Sequence, residues 1–156
     1  SWMQAAQWCA QKNANLDQAL LWADSATSLS FGGDKSFQAW STKAQVLEKL
    51  NRGAEAAEIL KKAIPFGNKF ELHQYARQLI ARKNGKEALE VFKTNYNLHP
   101  NEFTTNMGMA RGYSAVGDYK KALEYILKAQ PQAPDPVNKA NVEKAIKTLK
   151  EGKDIN

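Results

Sequence analysis

The stretch GDYKKALEYILKAQPQAPD (residues 117–135) repeats, in outline, NGKEALEVFKTNYNLHP (residues 84–100) thirty-four positions earlier. Ala88 answers Ala122, Phe92 answers Ile126 and Pro100 answers Pro134. Within each copy the apolar residues recur at three- and four-residue spacing: Ala88, Leu89, Val91, Phe92 and Tyr96 in one, Tyr119, Ala122, Leu123, Ile126 and Ala129 in the other. That period places them on one face of an α-helix. The fold is therefore read as a helix repeated along the chain.

The same reading outward from these copies predicts nine helices, near residues 2–13, 16–29, 36–50, 54–64, 69–83, 86–97, 102–115, 118–130 and 136–151. Short breaks separate them, such as Asn51-Arg52-Gly53, Asn84-Gly85 and Gly117-Asp118. Glycine there is expected to end one helix at positive φ, with Asn or Asp capping the next. Breaks this short impose antiparallel neighbours, so the first eight helices pair into four hairpins. In the second helices Ala19, Ala56, Ala88 and Ala122 fall in register, followed by Ala23, Leu60, Phe92 and Ile126, then Ala26, Ala63, Asn95 and Ala129. In the first helices Trp40, Ala44 and Leu47 match Leu72, Ala76 and Leu79, and then Asn106, Ala110 and Tyr113. The first hairpin fits least well, because Gln7 falls where a small residue is expected. Asn95, if buried, needs partners for its amide, since an unsatisfied one costs about 1–3 kcal/mol.

A helix–turn–helix unit of this length, with a small residue in its first helix and an Ala, an aromatic and a Pro in and after its second, resembles the tetratricopeptide repeat. The fullest copy is FTTNMGMARGYSAVGDYKKALEYILKAQPQAP (residues 103–134). The resemblance implies an all-α superhelical array of four hairpins, near residues 2–30, 36–66, 69–100 and 102–134, closed by a polar capping helix over 136–151. It makes one continuous domain. NLDQALLWAD, FGGDKSFQAWSTKAQVLEKL, ELHQYARQLI, ARGYSAVGDYKKAL and the closing GKDIN are together similar to the C-terminal part of an uncharacterised bacterial family. Those proteins carry an export signal and a preceding β-rich domain, which implies a periplasmic or exported setting and a longer parent chain.

Bulk composition restricts the function classes. The 156 residues, 43% hydrophobic and 24% charged, suit a water-soluble fold with its own core. No apolar run reaches the roughly 20 residues that span a bilayer. The excess of 22 basic over 16 acidic residues is spread as single lysines or as pairs, Lys61-Lys62 and Lys120-Lys121, on polar helical positions. That is a solvated surface and a poor fit to nucleic acid. A lone Cys9 is read as a buried small residue. His73 and His99 are the only histidines, and neither joins a metal-spaced cluster. Glycines 32 and 33 lie between helices, a poor setting for a phosphate cradle. No catalytic group, metal or cofactor is therefore expected.

The resemblance places ligands on the concave face, lined by the first helix of each hairpin. Candidate lining residues are Gln38, Ser41, Thr42 and Gln45; then Phe70, His73, Gln74 and Arg77; then Thr104, Met107, Gly108 and Arg111. Arg77 and Arg111 stand one repeat apart, and two guanidinium forks suit an acidic protein or peptide partner. The plainer reading pairs each arginine with a local Glu or spreads its stem over apolar surface. The family's clamp for a chaperone carboxylate combines Asn and Lys with Arg, a set that Gln38, Thr42 and Gln74 do not reproduce. Trp2 and Trp8 are candidates for an interface at the first hairpin, while Trp22 and Trp40 are read as packing. The leading expectation is a binding scaffold. Its rival is a module that positions an N-terminal domain and binds no ligand of its own.

Overall fold

The structure, a computed structural model, describes residues 1–28 and 33–156. Among the described residues every regular element is helical, and there is no strand. Nine α-helices follow in order: α1 (Trp2–Lys12), α2 (Leu16–Ala26), α3 (Phe37–Lys49), α4 (Gly53–Ala63), α5 (Lys69–Ala81), α6 (Gly85–Leu98), α7 (Phe103–Ala115), α8 (Tyr119–Ala129) and α9 (Pro136–Lys150). The chain divides into two compact units, Ser1–Gly67 with α1 to α4 and Asn68–Asn156 with α5 to α9. Within each unit consecutive helices pack on one another.

The expected bounds hold to within a few residues. The largest difference is at α2, which stops at Ala26. There Thr27 turns its hydroxyl back to the carbonyls of Ala23 and Asp24. Leu29, at the end of the predicted helix, lies outside the described residues. So do residues 30–32 of the SFGGDKS junction, including the Gly32 considered for a phosphate cradle.

Helix ends show the repeat most directly. The ends of α1, α3, α5, α7 and α9 are each closed by a residue in the left-handed conformation: Asn13, Asn51, Lys83, Gly117 and Gly152. In each case the next N–H reaches the carbonyl five residues back, as from Ala14 to Cys9, Arg52 to Leu47, Asn84 to Leu79, Asp118 to Tyr113 and Lys153 to Thr148. This closing turn satisfies carbonyls that a helix end otherwise leaves bare. The expectation for the glycines is thereby corrected at two breaks. Gly53 and Gly85 open helices, and Asn51 and Lys83 take the positive φ instead. Gly85 has a separate steric reason, because a Cβ there would sit 3.1 Å from Ala115 Cβ and 3.2 Å from its carbonyl oxygen.

Counting back seven residues from each left-handed position reaches Ala6, Ala44, Ala76, Ala110 and Ala145. The first four are buried. The small residue of the first hairpin is therefore Ala6, not the position of Gln7. The apparent misfit comes from the first turn, which carries one extra residue and two left-handed asparagines, Asn13 and Asn15. Second helices bury Ala19, Ala56, Ala88 and Ala122 to 2% exposure or less. A methyl at each of these crossings lets two helices approach closely, and larger neighbours fill the space beyond.

In the first unit Ala6, Cys9, Ala10, Ala19, Ala23 and Val46 form one cluster, flanked by Leu20, Trp22 and Leu50. Cys9 is buried and unpaired, as a small core residue. Trp40 is half-buried and donates its indole N–H to the Asp34 carbonyl at 2.7 Å, with Lys43 and Lys62 over its ring. In the second unit Met107, Ala110, Ala122, Ile126, Val142, Ile146 and Leu149 knit α7, α8 and α9 together. Asn95 is indeed buried, and its amide donates to the Lys69 carbonyl at 2.9 Å. Asn106 donates to Asn101 and Gln132, which ties the start of α7 to the turn after α8.

Candidate functional site

The residues expected to line a groove fall into two groups, one in each unit. On α3, Gln38 is exposed while Ser41 and Gln45 are half-buried. Thr42 is buried at 3% exposure, and its hydroxyl accepts from the Gln7 amide at 3.2 Å. It is a packing residue of the first unit, in place of the open lining position expected. The same interaction explains Gln7, whose polar end is spent on α3.

The second unit brings the remaining candidates together on α5 and α7. Phe70 is 63% exposed, with the Lys69 ammonium 5.3 Å from its ring. Gln74 and Arg77 are exposed, and His73 and Arg111 are half-buried. Met107 departs from expectation: at 8% exposure it belongs to the α7–α8–α9 core, and only its edge reaches a pocket. Gly108 also turns inward. A Cβ there would meet Phe92 Cδ1 at 2.5 Å and His73 Nδ1 at 3.3 Å. Gly112, one turn later, leaves the matching space on the other edge of the Phe92 ring.

His73 stacks edge-on against Phe92, with ring centroids 5.3 Å apart. Burial, reinforced by the positive charges of Arg111 and Arg77, pushes its pKa down to about 4. The imidazole is therefore neutral near pH 7. Burial and the nearby Arg77 likewise lower the pKa of Arg111. Neither arginine has an acidic partner among the described residues. Two further donors or acceptors on this surface, His73 Nδ1 and Arg111 Nε, are buried without a hydrogen-bond partner. A buried polar atom left unpaired costs about 1–3 kcal/mol, more where charge is involved. The strip is thus cationic, and the Arg111 Nε–H in it lacks an acceptor.

Beyond Arg111 lies a pocket walled by Met107, Arg111, Lys144, Thr148, Asp154 and Ile155. Sequence reasoning missed its far wall. The Ser114 hydroxyl donates to Asp154 Oδ1 at 2.6 Å and accepts from the Ile155 amide at 3.0 Å. Burial alone would raise the Asp154 pKa, but hydrogen bonds from Ser114, Asn156 and Ile155 outweigh it and hold the group below its ordinary value. One signal was available: Ser114 sits where the other first helices of hairpins carry Ala10, Glu48 and Ile80.

Trp2 and Trp8, proposed for an interface, are 47% and 56% exposed, and Leu21 of the same hairpin is 60% exposed. Among the described residues no cluster of His, Cys, Asp or Glu could hold a metal ion. No described helix is long and apolar enough to cross a membrane. No protein-family model and no curated protein matches the chain.

Proposed function

We propose that this chain is a tetratricopeptide-type scaffold that binds a protein or peptide partner along the first helices of its hairpins, with an acidic segment seated across α5 and α7. One observation carries the reading. Arg77 and Arg111 occupy equivalent positions one repeat apart, the charge of Arg77 adds to burial in lowering the pKa of Arg111, and neither has an acidic partner among the described residues. Mutual repulsion of this kind is relieved by an anion, and a planar guanidinium engages a carboxylate through two parallel hydrogen bonds. Of the plainer alternatives, pairing with a local Glu finds no such Glu among the described residues, which leaves packing of the stems over apolar surface as the rival. Exposed Phe70 and Gln74 beside the arginines supply an apolar and an amide contact for the rest of a peptide.

The test is a fluorescence-anisotropy screen of an acidic-peptide library against the parent chain and an Arg77→Ala/Arg111→Ala double variant. Binding by the parent that weakens more than tenfold in the variant, with melting unchanged, is the expected result. A parent that binds no acidic peptide at low salt removes the reading.

A second reading rests on Trp8 and Leu21. Their exposure suits a module that packs on another protein body through its first hairpin. Concentration-dependent light scattering of the parent and of Trp8→Gln tests it, since self-association abolished by that change marks a sticky face. A parent that stays monomeric at all concentrations and captures no partner through this hairpin discounts it.

A further inference from the structure

The residues that follow α9 lie on α7 in the manner of a bound peptide. Three successive residues are held there, two of them by one hydroxyl. Asp154 presents its carboxylate to the Ser114 hydroxyl at 2.6 Å, and the Ile155 backbone N–H donates to that same hydroxyl oxygen at 3.0 Å. Asn156 donates its side-chain amide to the Arg111 carbonyl at 3.0 Å. Ile155 packs its side chain against the cluster that contains Met107 and Val142. Carboxylate, backbone N–H, apolar side chain and amide are all recognised within one short stretch, which is how extended peptides are held.

Ser114 is specialised for this. Ser25, Thr94 and Thr148, on α2, α6 and α9, turn their hydroxyls back to the carbonyl four residues earlier in their own helices. Ser114, buried to 1% exposure, gives its hydroxyl to another segment. The segment also walls a pocket that Arg111 and Lys144 line. It therefore stands at one end of the cationic strip on α5 and α7.

We infer that the Ser114 end of α7 is a peptide subsite for an acidic residue followed by an aliphatic one, filled in cis by Asp154-Ile155 as a pseudoligand. A partner carrying the same acidic–aliphatic pair gains the subsite by displacing Asp154–Asn156. The inference rests on the α5–α7 binding reading only for the identity of the partner, because the Ser114 contacts do not involve the arginine side chains. An intramolecular segment on a short tether acts at roughly millimolar effective concentration. A site occupied nine-tenths of the time binds an outside competitor about tenfold more weakly than an open one.

The experiment uses the intact chain first. Isotope-labelled parent is titrated with the free peptide Gly-Lys-Asp-Ile-Asn, and with Gly-Lys-Ala-Gly-Asn as control. The first peptide is expected to drive the Ile155 and Asn156 amide signals towards unstructured positions, and the control to leave them in place. Signals that ignore a large excess of the first peptide, or respond equally to the control, overturn the inference. A chain ending at Lys153 and a full-length Asp154→Ala/Ile155→Gly variant are then expected to bind the labelled first peptide about tenfold more tightly than the parent. Ser114→Ala should reverse that gain. The Arg77→Ala/Arg111→Ala chain separates the two readings: it is expected to lose acidic-library binding while still exchanging its segment for Gly-Lys-Asp-Ile-Asn.

Discussion

The Cδ1 atom of Phe92 lies 2.5 Å from the point where a side chain on Gly108 would begin, so α6 and α7 meet through the absence of a methyl group. Phe92 is 1% exposed, so its ring is packed on all sides. Gly108→Ala gains about 1 kcal/mol of helix propensity but forces that contact apart, at about 1–3 kcal/mol for overpacking. The expected outcome is net destabilisation in urea unfolding, partly recovered by adding Phe92→Leu. An unchanged midpoint would mean that the ring can turn aside.

Ala6 on α1 and Ala122 on α8 are both fully buried, one in each unit. Ala6→Leu and Ala122→Leu should each cost about 1–3 kcal/mol by overpacking. Gln7→Leu, one position along, loses a single neutral hydrogen bond to Thr42, about 1 kcal/mol. Thermal melts rank the three. If Gln7→Leu proves the most damaging, the seven-residue register counted from Asn13 is wrong.

This register shows what a sequence does and does not reveal. Helix positions and the buried alanines of α4, α6 and α8 are legible because a 3.6-residue period depends only on local spacing. Ala6 is missed because one inserted residue in the Asn13-Ala14-Asn15 turn shifts the count, and spacing cannot tell which turn is long. Thr42 and Met107 are misplaced for a related reason. A groove position and a core position differ by about 100° around a helix, and the helix that packs behind decides between them. Arg77 and Arg111 come out together because their interval equals the repeat. Ser114 stands out in the sequence only as a hydroxyl where the other first helices carry Ala10, Glu48 and Ile80; its partner Asp154 is 40 residues away, and the fold alone supplies that contact.

Lys83 holds φ at 63°, a conformation that costs a residue with a Cβ about 1–2 kcal/mol. Lys83→Gly removes that strain and adds some unfolded-state entropy, about 0.4–1 kcal/mol. A net gain near 1 kcal/mol is expected in chemical denaturation. Asn51→Gly, at the matching turn of the first unit, should gain less, because Asn tolerates this conformation. Equal gains at both sites would show that side-chain strain at Lys83 is not the cause.

Charge and geometry at the arginines can be separated. Arg77→Lys/Arg111→Lys keeps two positive charges but loses both planar forks. Affinity for an acidic peptide is expected to fall between the parent and the double Ala variant, and to depend more steeply on salt than the parent's. Isothermal titration at low and physiological salt reads both effects. Full affinity in the Lys pair would show that the strip attracts by charge alone.

His73 reports on the same strip through its protonation. Its folded pKa of about 4 lies below the ordinary 6.5 because burial, Arg111 and Arg77 all disfavour the imidazolium. The unfolded chain therefore binds the extra proton first as pH falls. The associated stability is fully present above pH 6.5 and is lost between 6.5 and about 4, to a total of roughly 3 kcal/mol. His73→Gln should flatten that part of the stability profile relative to the parent, which cancels contributions from carboxylates titrating nearby. An acidic peptide bound between Arg77 and Arg111 opposes two of the three causes, so it should raise the His73 pKa by about one unit. By linkage, an anion that stays ionised binds more tightly as pH drops towards 5, the reverse of what simple protonation of the peptide would give. The imidazole Cε1–H chemical shift, followed by NMR with and without saturating peptide, measures this directly. A His73 titration that is identical in both samples would place the peptide away from α5 and α7, whatever its affinity.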